Sequence, residues 1–88
     1  MSKLKVMYFS APWCGPCRMF GPAFDETVVN FDDIDVEKIN IDENKEAATD
    51  NAVRSIPTVI FKKDDKEVFR NVGAMSKVAL SDTITKFK

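Results

Sequence analysis

Ala11-Pro12-Trp13-Cys14-Gly15-Pro16-Cys17 holds the only two cysteines of the chain and follows an apolar run, Val6 to Phe9, that reads as a strand. A disulfide between sulfurs three positions apart closes so small a loop that it contributes only about 2 kcal/mol, well below a long-range bridge. A structural staple would sit elsewhere. The chemistry favoured by this spacing is exchange, in which one thiolate attacks a substrate disulfide and a second thiol displaces the product from the mixed disulfide. If a helix begins near Cys14, its sulfur lies among unpaired backbone N–H groups at the positive end of the macrodipole, which lowers its pKa. Cys17, a turn further in, is then the shielded partner. Pro16 has no N–H to lose in a first turn and Gly15 leaves the approach to sulfur open, so both fit a helix start.

Eighty-eight residues suffice for one domain with one core, expected to span 1–88. A hydrophobic content of 44%, with 31% charged and a formal net charge of -1, is ordinary globular composition and gives no electrostatic reason to expect nucleic acid or anionic lipid. The run Val6 to Phe9 is too brief for a signal-peptide core or a membrane span, so a cytoplasmic protein is expected. In a reducing cytosol a Cys-x-x-Cys pair is more readily catalytic or metal-binding than structural. The chain has no histidine, so neither a Cys-His dyad nor a Ser-His-Asp triad can be built. Two sulfurs alone leave zinc short of ligands, and no metal is expected. Gly15, Gly21 and Gly73 are the only glycines, too few for a phosphate-cradling loop.

Outward from the cysteines, Lys3 to Ser10 reads as a central strand, apolar on both faces at Val6, Met7, Tyr8 and Phe9. A helix from about Cys14 to Asn30 carries Phe20, Phe24, Val28 and Phe31 on a core stripe, with Pro22 inside it deleting one backbone hydrogen bond. Ile34 to Ile41 is a second strand with Ile39 and Ile41 on one face and Val36, Lys38 and Asn40 on the other. Lys38 is either an edge-strand lysine reaching for solvent or a charge that tunes the thiols. Asp42 or Asn44 caps a short helix through about Asn51, whose charged set Asp42, Glu43, Lys45 and Glu46 reads as a solvated face. Pro57 stands at the start of a strand Thr58 to Lys62, and after the polar turn Lys63 to Lys66 the strand Glu67 to Val72 returns as a hairpin. Gly73 ends it, and Ser76 caps a last helix with Leu80, Ile84 and Phe87 on one stripe. The order β, α, β, α, β, β, α calls for an α/β fold: a four-stranded mixed sheet in the order 2-1-3-4, flanked by three helices.

Taken in order, Trp13-Cys14-Gly15-Pro16-Cys17, Pro22, Lys38-Ile39-Asn40-Ile41-Asp42, Ile56-Pro57-Thr58 and Val72-Gly73-Ala74 resemble the thioredoxin family over nearly the whole chain. The resemblance implies the thioredoxin-like fold, with Cys14 the attacking thiolate and Cys17 the resolving thiol. It implies that Pro57 follows a cis peptide bond and faces the disulfide, and that the Ile56 backbone pairs with the substrate chain. Trp13, Gly15, Pro16, Gly73, Ala74 and Met75 would form the surround, and backbone pairing of this kind tolerates many sequences. The implied activity is reduction of protein disulfides by a cytoplasmic monomer in electron transport and cell redox homeostasis. No cofactor is expected, since the chain has no room for a flavin or nicotinamide domain; an external reductase of the thioredoxin reductase type would supply electrons. Two rival readings are a glutaredoxin-like reductase served by glutathione, against which Gly15-Pro16 argues, and a binding module that uses the surface around the cysteines.

Three departures from the family pattern stand out. The chain starts at the strand leading to the cysteines, so it resembles the compact members that lack a leading strand and helix. Tyr8 occupies the position of the family's buried aspartate, six residues before Cys14, which removes the expected proton acceptor for Cys17. Ala52 stands where glycine is common.

Overall fold

The first strand, β1 (Leu4–Ser10), is the spine of the sheet: it pairs in parallel with β2 (Ile34–Asn40) on one side and antiparallel with β3 (Thr58–Lys63) on the other. The computed structural model describes residues 3–88, so Met1 and Ser2 of the expected 1–88 domain lie outside the described residues. The hairpin partner β4 (Lys66–Val72) completes the order β2-β1-β3-β4. Helices α1 (Gly15–Val28), α2 (Lys45–Asp50) and α3 (Lys77–Phe87) complete the fold, and the order expected from the sequence is the order observed. Element ends differ from expectation by one or two residues. Thus α1 stops at Val28 rather than Asn30, and the hairpin loop narrows to Asp64 and Asp65 because Lys63 and Lys66 pair with each other.

Apolar character on both faces of β1 has a direct cause. Leu4, Val6 and Tyr8 pack with Val59 and Phe61 of β3, Phe20 and Phe24 of α1, and Leu80 and Ile84 of α3. Met7 and Phe9 turn the other way, onto Ile39 and Ile60, with Ile41, Ala47, Val53 and Ile56 against them. Each layer removes large apolar side chains from water, the dominant favourable contribution to folding. The Phe stripe of α1 is therefore core, and Pro22 lies on that helix's exposed side, where its missing N–H leaves the packing undisturbed.

Two turns place residues in left-handed backbone. Asp64 (φ 54°) and Asp65 (φ 65°) form the two-residue hairpin loop, the pattern of a type I′ turn, whose twist matches that of the flanking strands. Ala52 (φ 55°) follows the end of α2, where its N–H donates to the Thr49 carbonyl and the Val53 N–H to the Ala48 carbonyl. This is a Schellman closure with alanine at the position that usually favours glycine. Arg70 of β4 braces it, donating to the carbonyls of Asn51 (2.6 Å) and Ala52 (3.1 Å) while the Glu67 carboxylate holds the guanidinium at 2.7 and 2.9 Å.

Candidate active site

At the end of β1 the chain turns through Ala11 to Trp13 and enters α1 with Cys14 as the N-cap. The Cys14 Sγ accepts the backbone N–H of Cys17 at 3.2 Å, so this sulfur occupies the place of a capping oxygen at the positive end of a 14-residue helix. Pro16 sits within the first two helical positions, where an N–H would have no intrahelical partner. Cys14 and Cys17 are joined by a disulfide, with Cα atoms 5.2 Å apart.

The expectation of an exposed Cys14 and a shielded Cys17 is not met in this oxidised form. The two residues are 4% and 6% exposed, both buried. What separates them is the helix terminus: Cys14 takes the N–H, and Cys17 gives it. A bond between neighbouring sulfurs holds both inward.

Register brings the proline loop to the end of β1 that leads into the cysteine turn. Phe9 pairs with Thr58, so Pro57 at the start of β3 lies level with the end of β1. The Ile56–Pro57 peptide bond is cis, as the resemblance implied, and Pro57 is buried. Gly73, at φ 103°, donates its N–H to the Pro57 carbonyl at 2.8 Å and so brings the end of β4 to the same corner. Ile56 lies outside the strand ladders, and none of the described residues hydrogen-bonds to its N–H or carbonyl. Trp13 and Ile56 line one apolar recess of about 290 Å³ together with Ile41, Val53, Arg54 and Ser55. Around it Gly15, Pro16 and Ala74 are exposed, and Trp13 is 62% exposed.

The Trp13 ring is not free. Its indole N–H donates to the Asp42 carboxylate at 2.9 Å, and the Asn40 side-chain oxygen accepts the Asp42 N–H at 2.8 Å. Asp42 read in the sequence as part of a solvated helix face; it follows β2 at the same end of the sheet as Cys14, and that common end was the available signal. Lys38 reaches solvent along the edge strand, and its ammonium contacts both oxygens of Asp25 on α1, at 2.9 and 3.1 Å. It also borders a recess of about 280 Å³ shared with Tyr8, Ser10, Asn40, Arg18 and Cys17. The sequence brought Lys38 to this region but missed its partner.

Tyr8 is buried between Phe20 and Phe24, with ring centroids 5.4 and 4.8 Å away. Its hydroxyl donates a long 3.5 Å hydrogen bond to the Cys17 carbonyl. Burial pushes the phenol above its ordinary pKa; a hydrogen bond with Ser10 works against that, and the Asp25 charge adds to it. Among the described residues no cluster of three or more His, Cys, Asp or Glu is placed to hold a metal ion, and no helix is long and apolar enough to cross a membrane.

Comparison with known proteins gives a consistent result. The family model described as thioredoxin matches residues 1–86. Thioredoxin 1 of Synechococcus elongatus is 46% identical over 79 residues, 89% of this chain and 74% of its own length. The thioredoxin of Chlamydia pneumoniae is 44% identical over 85 residues, 97% of this chain and 83% of its own. Among solved structures, Fasciola hepatica thioredoxin superposes with a TM-score of 0.92 at 39% identity, covering 99% of this chain and 83% of that one. The Nicotiana alata thioredoxin NaTrxh gives 0.93 at 39% identity, covering all of this chain and 76% of that one.

Proposed function

We infer the function from one premise: this chain belongs to the thioredoxin family, and it is a thiol–disulfide oxidoreductase. Members of the family act on disulfide substrates, and the Cys14–Cys17 pair is the redox centre of this one. Our reading of the individual roles is that Cys14 is the attacking thiolate and Cys17 the resolving thiol. The observation that carries it is the Cys17 N–H directed at the Cys14 Sγ on the helix N-cap, since a thiolate there gains a hydrogen bond and the favourable end of the helix dipole.

We assign substrate binding to the Ile56 backbone by strand addition, framed by Trp13, Gly15, Pro16, Gly73 and Ala74. The unpaired Ile56 amide and the apolar recess it shares with Trp13 support this assignment. Pro57 offers neither an N–H nor a ligand atom beside the sulfurs, which discourages metal capture there. We assign to Lys38 an electrostatic part in the exchange, supported by the recess it shares with Cys17. The chain, taken as one domain, works on this reading as a cytoplasmic monomer that reduces protein disulfides and is itself reduced by a thioredoxin reductase-type donor, with no bound cofactor.

The test is chemical. Cys14→Ser abolishes turnover, whereas Cys17→Ser keeps the first attack and accumulates a substrate adduct on Cys14, read by intact mass and peptide mapping. An adduct on Cys17 in the Cys14→Ser protein reverses the assignment. Turnover sustained by glutathione alone, and not by a thioredoxin reductase, moves the chain to a glutaredoxin-like role.

A further inference from the structure

Cys17 must lose a proton before it can expel the product, and the neighbourhood in which it does so is unusual. It forms part of the wall of the 280 Å³ recess beside Lys38, which shares no residue with the apolar recess at Trp13 and Ile56. The charged and titratable groups around Tyr8 are Cys17, Arg18 and Asp25 from α1 and Lys38 from β2, while β3 presents Val59. None of these is a free base. The phenol is neutral at physiological pH and already donates its proton to the Cys17 carbonyl. Arg18 is a permanent cation. Both oxygens of Asp25 are engaged by Lys38. The Lys38 ammonium cannot take a proton, but its charge favours an anion in the recess that it borders.

We propose that Tyr8 is a positioning residue that leaves Cys17 with no acceptor among the described residues, so that its proton passes to solvent in this recess beside the Lys38 charge, and product release becomes steeply pH-dependent. The inference rests on the assignment of Cys17 as the resolving thiol. In the mixed disulfide, the Cys17 thiol gives its proton to water, and the resulting thiolate attacks the Cys14 sulfur. The Cys14–Cys17 bond forms as the Cys14–substrate bond breaks; the substrate sulfur leaves with the electron pair and takes a proton from solvent. The substrate is reduced and the cysteine pair oxidised, so no further reactant is needed.

Product release in single turnovers, followed by stopped flow from pH 6 to 9, tests this. The expected rate rises about tenfold per pH unit until Cys17 itself titrates. Tyr8→Phe keeps that slope, since neither ring accepts a proton. Tyr8→Asp supplies a carboxylate, and release at pH 6.5 quickens by about tenfold or more, with a flatter profile. Because Lys38→Gln alone would free the Asp25 carboxylate that Lys38 engages, the charge is removed in an Asp25→Asn background: adding Lys38→Gln to Asp25→Asn moves the profile to higher pH, and adding Lys38→Arg instead does not. Release that is independent of pH in the parent protein, or unchanged or slower in folded Tyr8→Asp, overturns the proposal. Should Tyr8→Asp not fold, a profile left unmoved on adding Lys38→Gln to Asp25→Asn overturns it instead. Failure of Cys17→Ser to form an adduct on Cys14 would refute the underlying role assignment; normal adduct formation with pH-independent release refutes only the part given to Tyr8.

Discussion

Tyr8 is the only tyrosine of the chain, so its ionisation can be followed without interference from another phenol. Its folded pKa is raised, first by burial. The unfolded phenol releases its proton near pH 10 and the folded one only above that. Above about pH 10 the unfolded state therefore binds fewer protons, and this contribution to stability, complete at lower pH, is lost. Tyr8→Phe is expected to flatten the decline in unfolding free energy above about pH 10, measured by urea titration. Absorbance at 295 nm should show a late phenol titration in the parent protein. A phenol titrating at its ordinary value in the folded state would contradict the packing against Phe20 and Phe24. The identity of Tyr8 at this position was plain in the sequence. The direction of its hydroxyl was not, because it depends on how α1 lies across β1.

At the scale of elements, the end of α2 is the least comfortable piece of backbone. Left-handed φ costs a residue with a Cβ roughly 1–2 kcal/mol, and glycine escapes that at an entropic cost of about 0.4–1 kcal/mol in the unfolded chain. Ala52→Gly is thus expected to stabilise by about 0.5–1 kcal/mol, seen as a higher urea midpoint with an unchanged slope. A loss of stability would mean that the Arg70 brace already relieves the strain. The elements were legible because their patterns have single solutions: β1 is apolar on both faces, the Phe20 and Phe24 spacing is helical, and the chain order leaves one simple sheet. The brace was not legible, since Arg70 meets the Asn51 and Ala52 carbonyls only when β4 lies beside β3. The same applies at the site. The pairing of Cys14 with Cys17 could be read from spacing and the cis bond before Pro57 from the family resemblance, whereas the Trp13–Asp42 and Lys38–Asp25 contacts join residues 29 and 13 positions apart.

For the molecule as a whole, the cysteine pair contributes little to cohesion. The two core layers lie against the sheet without it, and the loop it closes is so short that reduction should lower the unfolding free energy by no more than about 2 kcal/mol. Denaturant titrations of the oxidised and reduced forms measure this; a difference above about 4 kcal/mol would show that reduction rearranges more than the first turn of α1. The sheet also has a polarity of use. β1 runs toward the cysteines and β3 runs away from Pro57, so the Asp64-Asp65 turn lies at the far end, about 20 Å from the chemistry along the strands. That turn is a handle: a reporter, a surface tether or a grafted peptide spliced there would be carried by the hairpin while the redox face stays open to its partners.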